Sequence, residues 1–398
     1  MTGGLRIVVT GLIAQHPLGG VTWDYIQYPL GLARMGHDVW YLEDSGEWPY
    51  DIHGSGGRAS AVHDCRQNLE HLQSVMARMG LADRWMFRCP IGSAWFGLPD
   101  AQRRAVLDSA DLLINVSGTL NRPEEYRSVA RLAYIDSDPV FTQVKIASGA
   151  GRFPGRVGQH DVHFSFGERL ADVDEPDVPR TCFDWQPTRQ PIVLSEWEPA
   201  ETTRPTFTTV FNWASYRAES FNGRKYGQKY MEFDRFIDLP RRVAPTRLEL
   251  AVKGVQRRRK PTAPIERLRR HGWHVVSPEV VCPDLDSYRD YIASSRGEWS
   301  VAKHGYVVGQ AGWFSCRSAC YLAAGRPVVV QDTGFSDVLP VGEGIVAFRT
   351  LDEAVDALAD VESKYERHSR SARAIAEEYF DSDRVLGDLI DRAMQSTS

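Results

Sequence analysis

Short apolar runs alternate along most of this chain with segments whose apolar residues recur at helical spacing. A strand written as a continuous apolar run must be covered on both faces, and helices between successive strands supply that cover. Residues 6–13 read as a first strand, and a loop with Gly19-Gly20 leads into a helix from Thr22 or Asp24 to Met35. Gly36 stops that helix before a second strand, Asp38-Val39-Trp40-Tyr41-Leu42. Helices at 66–79 and 100–109 and strands at 112–116, 131–135 and 162–166 extend the pattern. Residues 171–206 break it, with six prolines and few periodic apolar positions. The alternation restarts with strands at 208–213, 248–252, 274–276, 299–302 and 328–330. Helices follow near 313–324, from Leu351 onward, and over Val385–Met394. One interruption in such an alternation predicts an α/β protein of two tandem Rossmann-like, doubly wound domains, spanning 1–190 and 191–375. Residues 376–398 are left as a terminal helix that packs back toward the first domain. Ligands of doubly wound sheets bind beyond the carboxyl ends of the strands, so the expected site is the interdomain cleft.

Composition narrows the partners. The chain has 398 residues, with 47 Lys+Arg against 52 Asp+Glu and a formal charge of −5, which argues against a strongly basic nucleic-acid scaffold. A chain of this length buries its cores without disulfides or metal staples. The six cysteines, Cys65, Cys89, Cys182, Cys282, Cys316 and Cys320, include no CxxC pair. Cys316 and Cys320 share a helix face and read as core residues. No leader-like N-terminus and no run of about eighteen apolar residues occurs, so a cytoplasmic protein is expected.

Several chemistries find no motif. Gly11 is followed by Leu12, Ile13, Ala14 and Gln15 rather than the glycines of a dinucleotide turn, and no P-loop, GxSxG elbow or HExxH is present. Asp136-Ser137-Asp138 follows the strand 131–135, where it fits three readings. It is a strand cap before the turn at Pro139, a carboxylate facing a substrate hydroxyl as general base, or a divalent-metal seat.

The stretch 299–337 says most. A strand ends at Ala302 and places Lys303 and His304 at its tip. A glycine-punctuated loop leads to a helix starting near Gly312–Phe314, with Ser315, Arg317 and Ser318 in or beside its first turn. Free N–H groups, the positive end of the helix and Arg317 together suit a diphosphate. Gly325-Arg326-Pro327 then turns the chain into Val328-Val329-Val330.

This segment resembles the donor domain of GT-B-type glycosyltransferases, with its Ala-Ala-Gly-x-Pro-Val-Val turn at 323–329. The opening, residues 6–43, with its strand, Gly-Gly loop, helix and Met35-Gly36-His37-Asp38-Val39, is similar to the start of that fold. The resemblance implies transfer of a sugar from a nucleotide-diphosphate sugar to a small-molecule or glycan acceptor, without a metal. No resident cofactor is implied, the nucleotide sugar being a co-substrate. A nucleotide-sugar 2-epimerase and a non-catalytic binding homologue share the same architecture. Many retaining members carry two glutamates eight positions apart, and the matching positions here are Gly312 and Cys320. On this reading Lys253, Lys303, Ser315, Arg317 and Ser318 hold the donor phosphates, and His304 contacts the donor sugar or its phosphate.

The first half is expected to hold the acceptor, with Gly19, Gly20, His16 and Asp136 on that side and Asp138, His304 and Asp24 as the catalytic candidates. Thr22 and Trp23 neighbour that Gly-Gly loop, and Trp40, Trp48, Trp213 and Trp313 also fall near strand ends or loops, as either sugar platforms or core. Two basic runs stand out: residues 256–260, read as a solvated loop or else as a supplement to phosphate binding or a patch that attracts an anionic surface, and Arg224-Lys225-Tyr226-Gly227-Gln228-Lys229, a loop on the crevice side.

Overall fold

The computed structural model describes residues 4–50, 65–90, 92–172, 177–201, 203–253 and 261–395. The basic run at 256–260 lies outside them.

Eight strands make the first sheet: β1 (Arg6–Thr10), β2 (Asp38–Glu43), β3 (Trp85–Arg88), β4 (Trp95–Gly97), β5 (Leu112–Val116), β6 (Leu132–Asp136), β7 (Val162–Ser165) and β8 (Trp185–Pro187). Their order is β4-β3-β2-β1-β5-β6-β7-β8, parallel throughout except for the β3–β4 pair. Ile7, Val8 and Val9 have no exposed surface, as a strand covered on both faces requires. The second half contributes β9 (Thr206–Val210), a separate hairpin of β10 (Glu219–Phe221) and β11 (Arg224–Tyr226), then β12 (Arg247–Ala251), β13 (His274–Val276), β14 (Gly297–Ser300), β15 (Val328–Gln331) and β16 (Ile345–Phe348). Its six-stranded sheet is ordered β13-β12-β9-β14-β15-β16 and is wholly parallel. The two tandem doubly wound α/β sheets expected from the alternation are present.

Each sheet has one switch point, where the strand order reverses: between β1 and β5 in the first, and between β9 and β14 in the second. The helix Gly19–Arg34 joins the halves. It packs on the helix Leu285–Ala293 of the second half, and Trp23 Nε1 donates to the Leu285 carbonyl at 2.9 Å. The chain crosses over through residues 188–198, where Ile192 pairs with the segment at Asp381 that returns from the second half. The last helix, Ser382–Met394, then lies against Gly19–Arg34. One apolar core therefore runs through both halves, including Trp23 and Trp197, whose rings are 4.8 Å apart.

Three details depart from the sequence reading. Cys65 and Cys89 form a disulfide, because the helix Arg66–Arg78 returns the chain to β3 and brings the two Cα atoms to 6.7 Å. Strands β4 and β8 are short and mixed in composition, and pairing with a neighbour creates them more than any apolar run, whereas β3 and β16 are short apolar runs, Trp85-Met86-Phe87 and Ile345-Val346-Ala347-Phe348. The helix expected from Gly312 begins only at Cys316, while His304–Gly309, read as a loop for its two glycines, is helical. Among the described residues no helix is long and apolar enough to cross a membrane.

Candidate functional site

The two switch points face each other across a cavity of ≈1110 Å³. Leu12 after β1 and Ser117 after β5 line one wall, and Phe211 and Asn212 after β9 with Lys303 after β14 line the other. The cavity thus lies where both sheets leave a crevice for want of a crossing loop. Glu43 fixes the loop after β1. Its carboxylate, at the end of β2, accepts the N–H groups of Ala14 and Gln15 at 2.9 and 2.5 Å and the Tyr41 hydroxyl at 2.9 Å. Burial pushes the Glu43 carboxyl up to about 7, against the pull of those hydrogen bonds.

Gly19 and Gly20 also line the cavity, but their smallness serves packing. A Cβ at Gly19 would overlap the Asp284 carbonyl oxygen and approach Tyr288 Cβ to 2.7 Å, and one at Gly20 would crowd the Tyr288 ring. The glycines let the helix Gly19–Arg34 touch the second half.

Asp24, one turn further along, reaches the cavity and is partly buried. No hydrogen bond or ion pair among the described residues holds its carboxylate. Burial raises its pKa to about 7, and the Arg317 charge only partly offsets this. An unengaged carboxylate titrating near neutrality is equipped to take or give a proton.

The Asp136-Ser137-Asp138 turn is occupied otherwise. Asp136 is buried and accepts from Thr142 Oγ1 at 2.7 Å, Gln143 Nε2 at 3.0 Å and Ser165 Oγ at 2.9 Å, which ties β6 to β7 and to the helix Phe141–Ala147. Desolvation still lifts its pKa to about 6. Asp138 accepts from Lys303 Nζ at 2.8 Å and from the hydroxyls of Tyr216 and Tyr306, all three from the second half. Despite burial, the Lys303 charge and these bonds hold its carboxyl below the usual carboxylate range. Such a carboxylate is a poor proton acceptor near neutral pH. In place of the base expected from sequence, the structure has a tie between the halves.

The cations divide into two sorts. Lys303 is held by Asp138 as described, and Lys253 by Glu279 and, at 3.2 Å, the Tyr50 hydroxyl. Arg317 sits in the first turn of the helix Cys316–Ala323, but its guanidinium turns inward to Glu298 at 2.6 Å, Ser300 Oγ at 2.9 Å and the Val210 carbonyl at 2.6 Å. Glu298 has no exposed surface, so this charge is already answered. Ser315 opens the same helix, caps no N–H with its side chain, and lines the cavity. Ser318 is buried, lines a smaller side recess beside Ser315 and Arg317, and its Oγ has no partner among the described residues.

Lys229 is different. It begins the short helix Lys229–Phe233, is 9 % exposed, and carries no hydrogen bond or ion pair among the described residues. Its ammonium rests 5.0 Å from the Phe211 ring centroid and borders the cavity. Burial, then the neighbouring Arg317 charge, pull its pKa well below the ordinary lysine value. In sequence Lys229 is one residue of the basic run Arg224–Lys229. Its place between the strand Arg224–Tyr226 and the helix that it opens is the signal that marks it.

His304 and His16 do not line the cavity. His304, the first residue of the unforeseen helix His304–Gly309, accepts the Gly227 N–H on Nδ1 at 3.3 Å, and the His16 ring is tilted against Tyr50 with ring centroids 5.9 Å apart. Thr22 is buried against His71, and Trp23, Trp40 and Trp213 are core residues. Trp48 is exposed, while Trp313 lines the cavity, stacked 4.1 Å from Tyr306. Among the described residues no group of three or more His, Cys, Asp or Glu is gathered to hold a metal.

No family model matches the chain, and no curated protein matches it in sequence. Solved structures do match. An α-glucosyltransferase in complex with UDP-glucose and DNA containing an abasic site is 12% identical, with a TM-score of 0.59 over 99% of this chain and 100% of that one. HepE of Anabaena in complex with UDP-glucose is 11% identical, with a TM-score of 0.58 over 97% and 98%. Sucrose-phosphate synthase from Thermosynechococcus elongatus is 13% identical, with a TM-score of 0.51 over 97% and 98%. The fold is that of the GT-B glycosyltransferases, as the resemblance in sequence implied.

Proposed function

We propose that this protein is a glycosyltransferase that moves a sugar from a nucleotide-diphosphate sugar to a hydroxyl of a small-molecule or glycan acceptor, without a metal. The observation that carries this reading is the pair of unengaged groups in one large cavity at facing switch points: Lys229 on the second half and Asp24 on the first. Fold neighbours solved with UDP-glucose support the donor class.

The chemistry follows from those two groups. Transfer breaks the bond from the anomeric carbon to the diphosphate and forms one to the acceptor oxygen, whose proton must leave. Asp24, with its pKa near 7, takes that proton. The bonding electrons depart with the diphosphate, and Lys229 together with the helix start at Ser315 meets the added charge. One such group in a water-excluded site is worth about 3–4 kcal/mol in the transition state. Arg317 contributes by holding the helix start to β14 through Glu298 and Ser300, and Lys253 and Lys303 flank the donor as paired charges.

A 2-epimerase needs carboxylates and histidines about the donor sugar, and no histidine is among the described cavity residues. Calorimetric titration with UDP, GDP, TDP and ADP tests the donor reading, followed by turnover of the matching sugar nucleotide with a panel of sugars, glycerol and duplex DNA. At least one nucleotide binds, and Lys229→Ala weakens it about tenfold or more. A folded protein that binds none of the four overturns the assignment, and isomerised donor without acceptor selects the epimerase.

A further inference from the structure

We propose that the acceptor carries an acidic group, a carboxylate or a phosphate, and that Lys145 on the first half binds it. This rests on the glycosyltransferase reading for the word acceptor, but the binding of an acid at Lys145 stands on its own.

Five cations line the cavity: Lys145, Lys229, Lys253, Lys303 and Arg317. Three are answered by a carboxylate of the protein, Lys253 by Glu279, Lys303 by Asp138 and Arg317 by Glu298. The ammonium groups of Lys145 and Lys229 have neither an ion pair nor a hydrogen bond among the described residues. Lys229 is buried and Lys145 half-buried, and without a carboxylate of the protein the N–H donors of both are left to a ligand.

Both unanswered lysines are held in the same way. Lys229 rests on the Phe211 ring, and the Lys145 ammonium lies 5.0 Å from the Tyr216 centroid and 5.7 Å from that of Phe153. An aromatic face steadies an ammonium by its quadrupole while leaving all three N–H donors for a ligand. Both rings beside Lys145 line the cavity too, so the cation is presented to its interior.

The two lysines belong to different walls. Lys229 opens a short helix of the second half, where the donor diphosphate is assigned. Lys145 lies in the helix Phe141–Ala147, which follows β6 on the first half. The carboxylates on that wall do not neutralise it: Asp136 is taken up by Thr142, Gln143 and Ser165, Asp138 by Lys303, and Asp24 is neutral in a large share of molecules at pH 7. One diphosphate answers Lys229. A second anion, on the acceptor, is the partner that Lys145 is placed to take.

Matched pairs of neutral and acidic ligands test this in the full-length protein: glucose against glucuronate and glucose 6-phosphate, and glycerol against glycerate and glycerol 3-phosphate. Calorimetry reads affinity, with and without UDP, and turnover reads KM. The wild type favours at least one acid over its neutral partner by about tenfold or more. Lys145→Ala abolishes the preference, Lys145→Arg retains it, and neither alters UDP affinity, whereas Lys229→Ala lowers UDP affinity and leaves the acid preference. The carboxylate and phosphate arms show which acid fits. No preference for any acid overturns the proposal, as does loss of UDP affinity in Lys145→Ala equal to that in Lys229→Ala, which would make Lys145 a second donor ligand. Failure of every nucleotide to bind while the acid preference persists would overturn the donor reading and leave this one standing.

Discussion

At the scale of single residues, Asp24 carries the sharpest consequence. Its folded pKa near 7 lies above the ordinary value of 3.8, so the folded state holds a proton that the unfolded chain has lost. Stability from this group is present below pH 3.8 and is lost as pH rises toward 7. Asp24→Asn removes that penalty, so the variant gains melting temperature over the wild type, and gains more at pH 8 than at pH 5. The same substitution removes the proton acceptor and lowers turnover by about two to four orders of magnitude. In the wild type, activity rises with pH through about 7 as Asp24 ionises. Differential scanning fluorimetry and pH–rate profiles check both halves of the expectation. An active Asp24→Asn enzyme with an unchanged profile would remove Asp24 from the chemistry.

At the scale of elements, the approach of the helix Gly19–Arg34 to the helix Leu285–Ala293 is set by two hydrogen atoms where side chains would be. Gly19→Ala puts a methyl group into the Asp284 carbonyl and Tyr288 Cβ, neither of which is the end of a flexible side chain. Overpacking of this kind costs about 1–3 kcal/mol. We expect a lower Tm and lower turnover, because the displaced helix carries Asp24. Gly155→Ala is the matched control, since a Cβ there meets nothing within 4 Å. Equal Tm values for the two variants would show that the contact is not close in solution.

At the scale of the whole molecule, the relation between the halves is fixed at opposite ends of their contact. The crossover at Ile192 and the helix Ser382–Met394 form one tie, through apolar core. Asp138 with Lys303, Tyr216 and Tyr306 forms the other, through charge beside the cavity. Lys303 and Asp138 are 15% and 28% exposed, so this pair is screened less than a surface pair and more than a fully buried one. Asp138→Asn removes the charge and leaves Lys303 without its partner, at a cost of about 1–3 kcal/mol. The cleft of the variant opens, which small-angle scattering reads as a larger radius of gyration that shrinks on addition of UDP. A radius and Tm identical to those of the wild type would show that the apolar tie alone sets closure.

The apolar runs Ile7-Val8-Val9, Leu112–Val116 and Val328-Val329-Val330 sufficed to determine a doubly wound α/β protein, because a strand with no polar face has to be covered on both sides. The Gly-Arg-Pro turn likewise marked where the helix Cys316–Ala323 ends and β15 begins, since those residues act through local backbone geometry. What the tertiary structure alone decided is which charges are free. Lys253, Lys303 and Arg317 stand out in sequence as much as Lys145 and Lys229 do, yet their answering carboxylates lie 26, 165 and 19 residues away. The same holds for Asp138 and Asp24, two acids near strand and helix ends, one saturated by the opposite half and one left open. Pairing depends on distances across the cleft, and those arise only when the two sheets have packed.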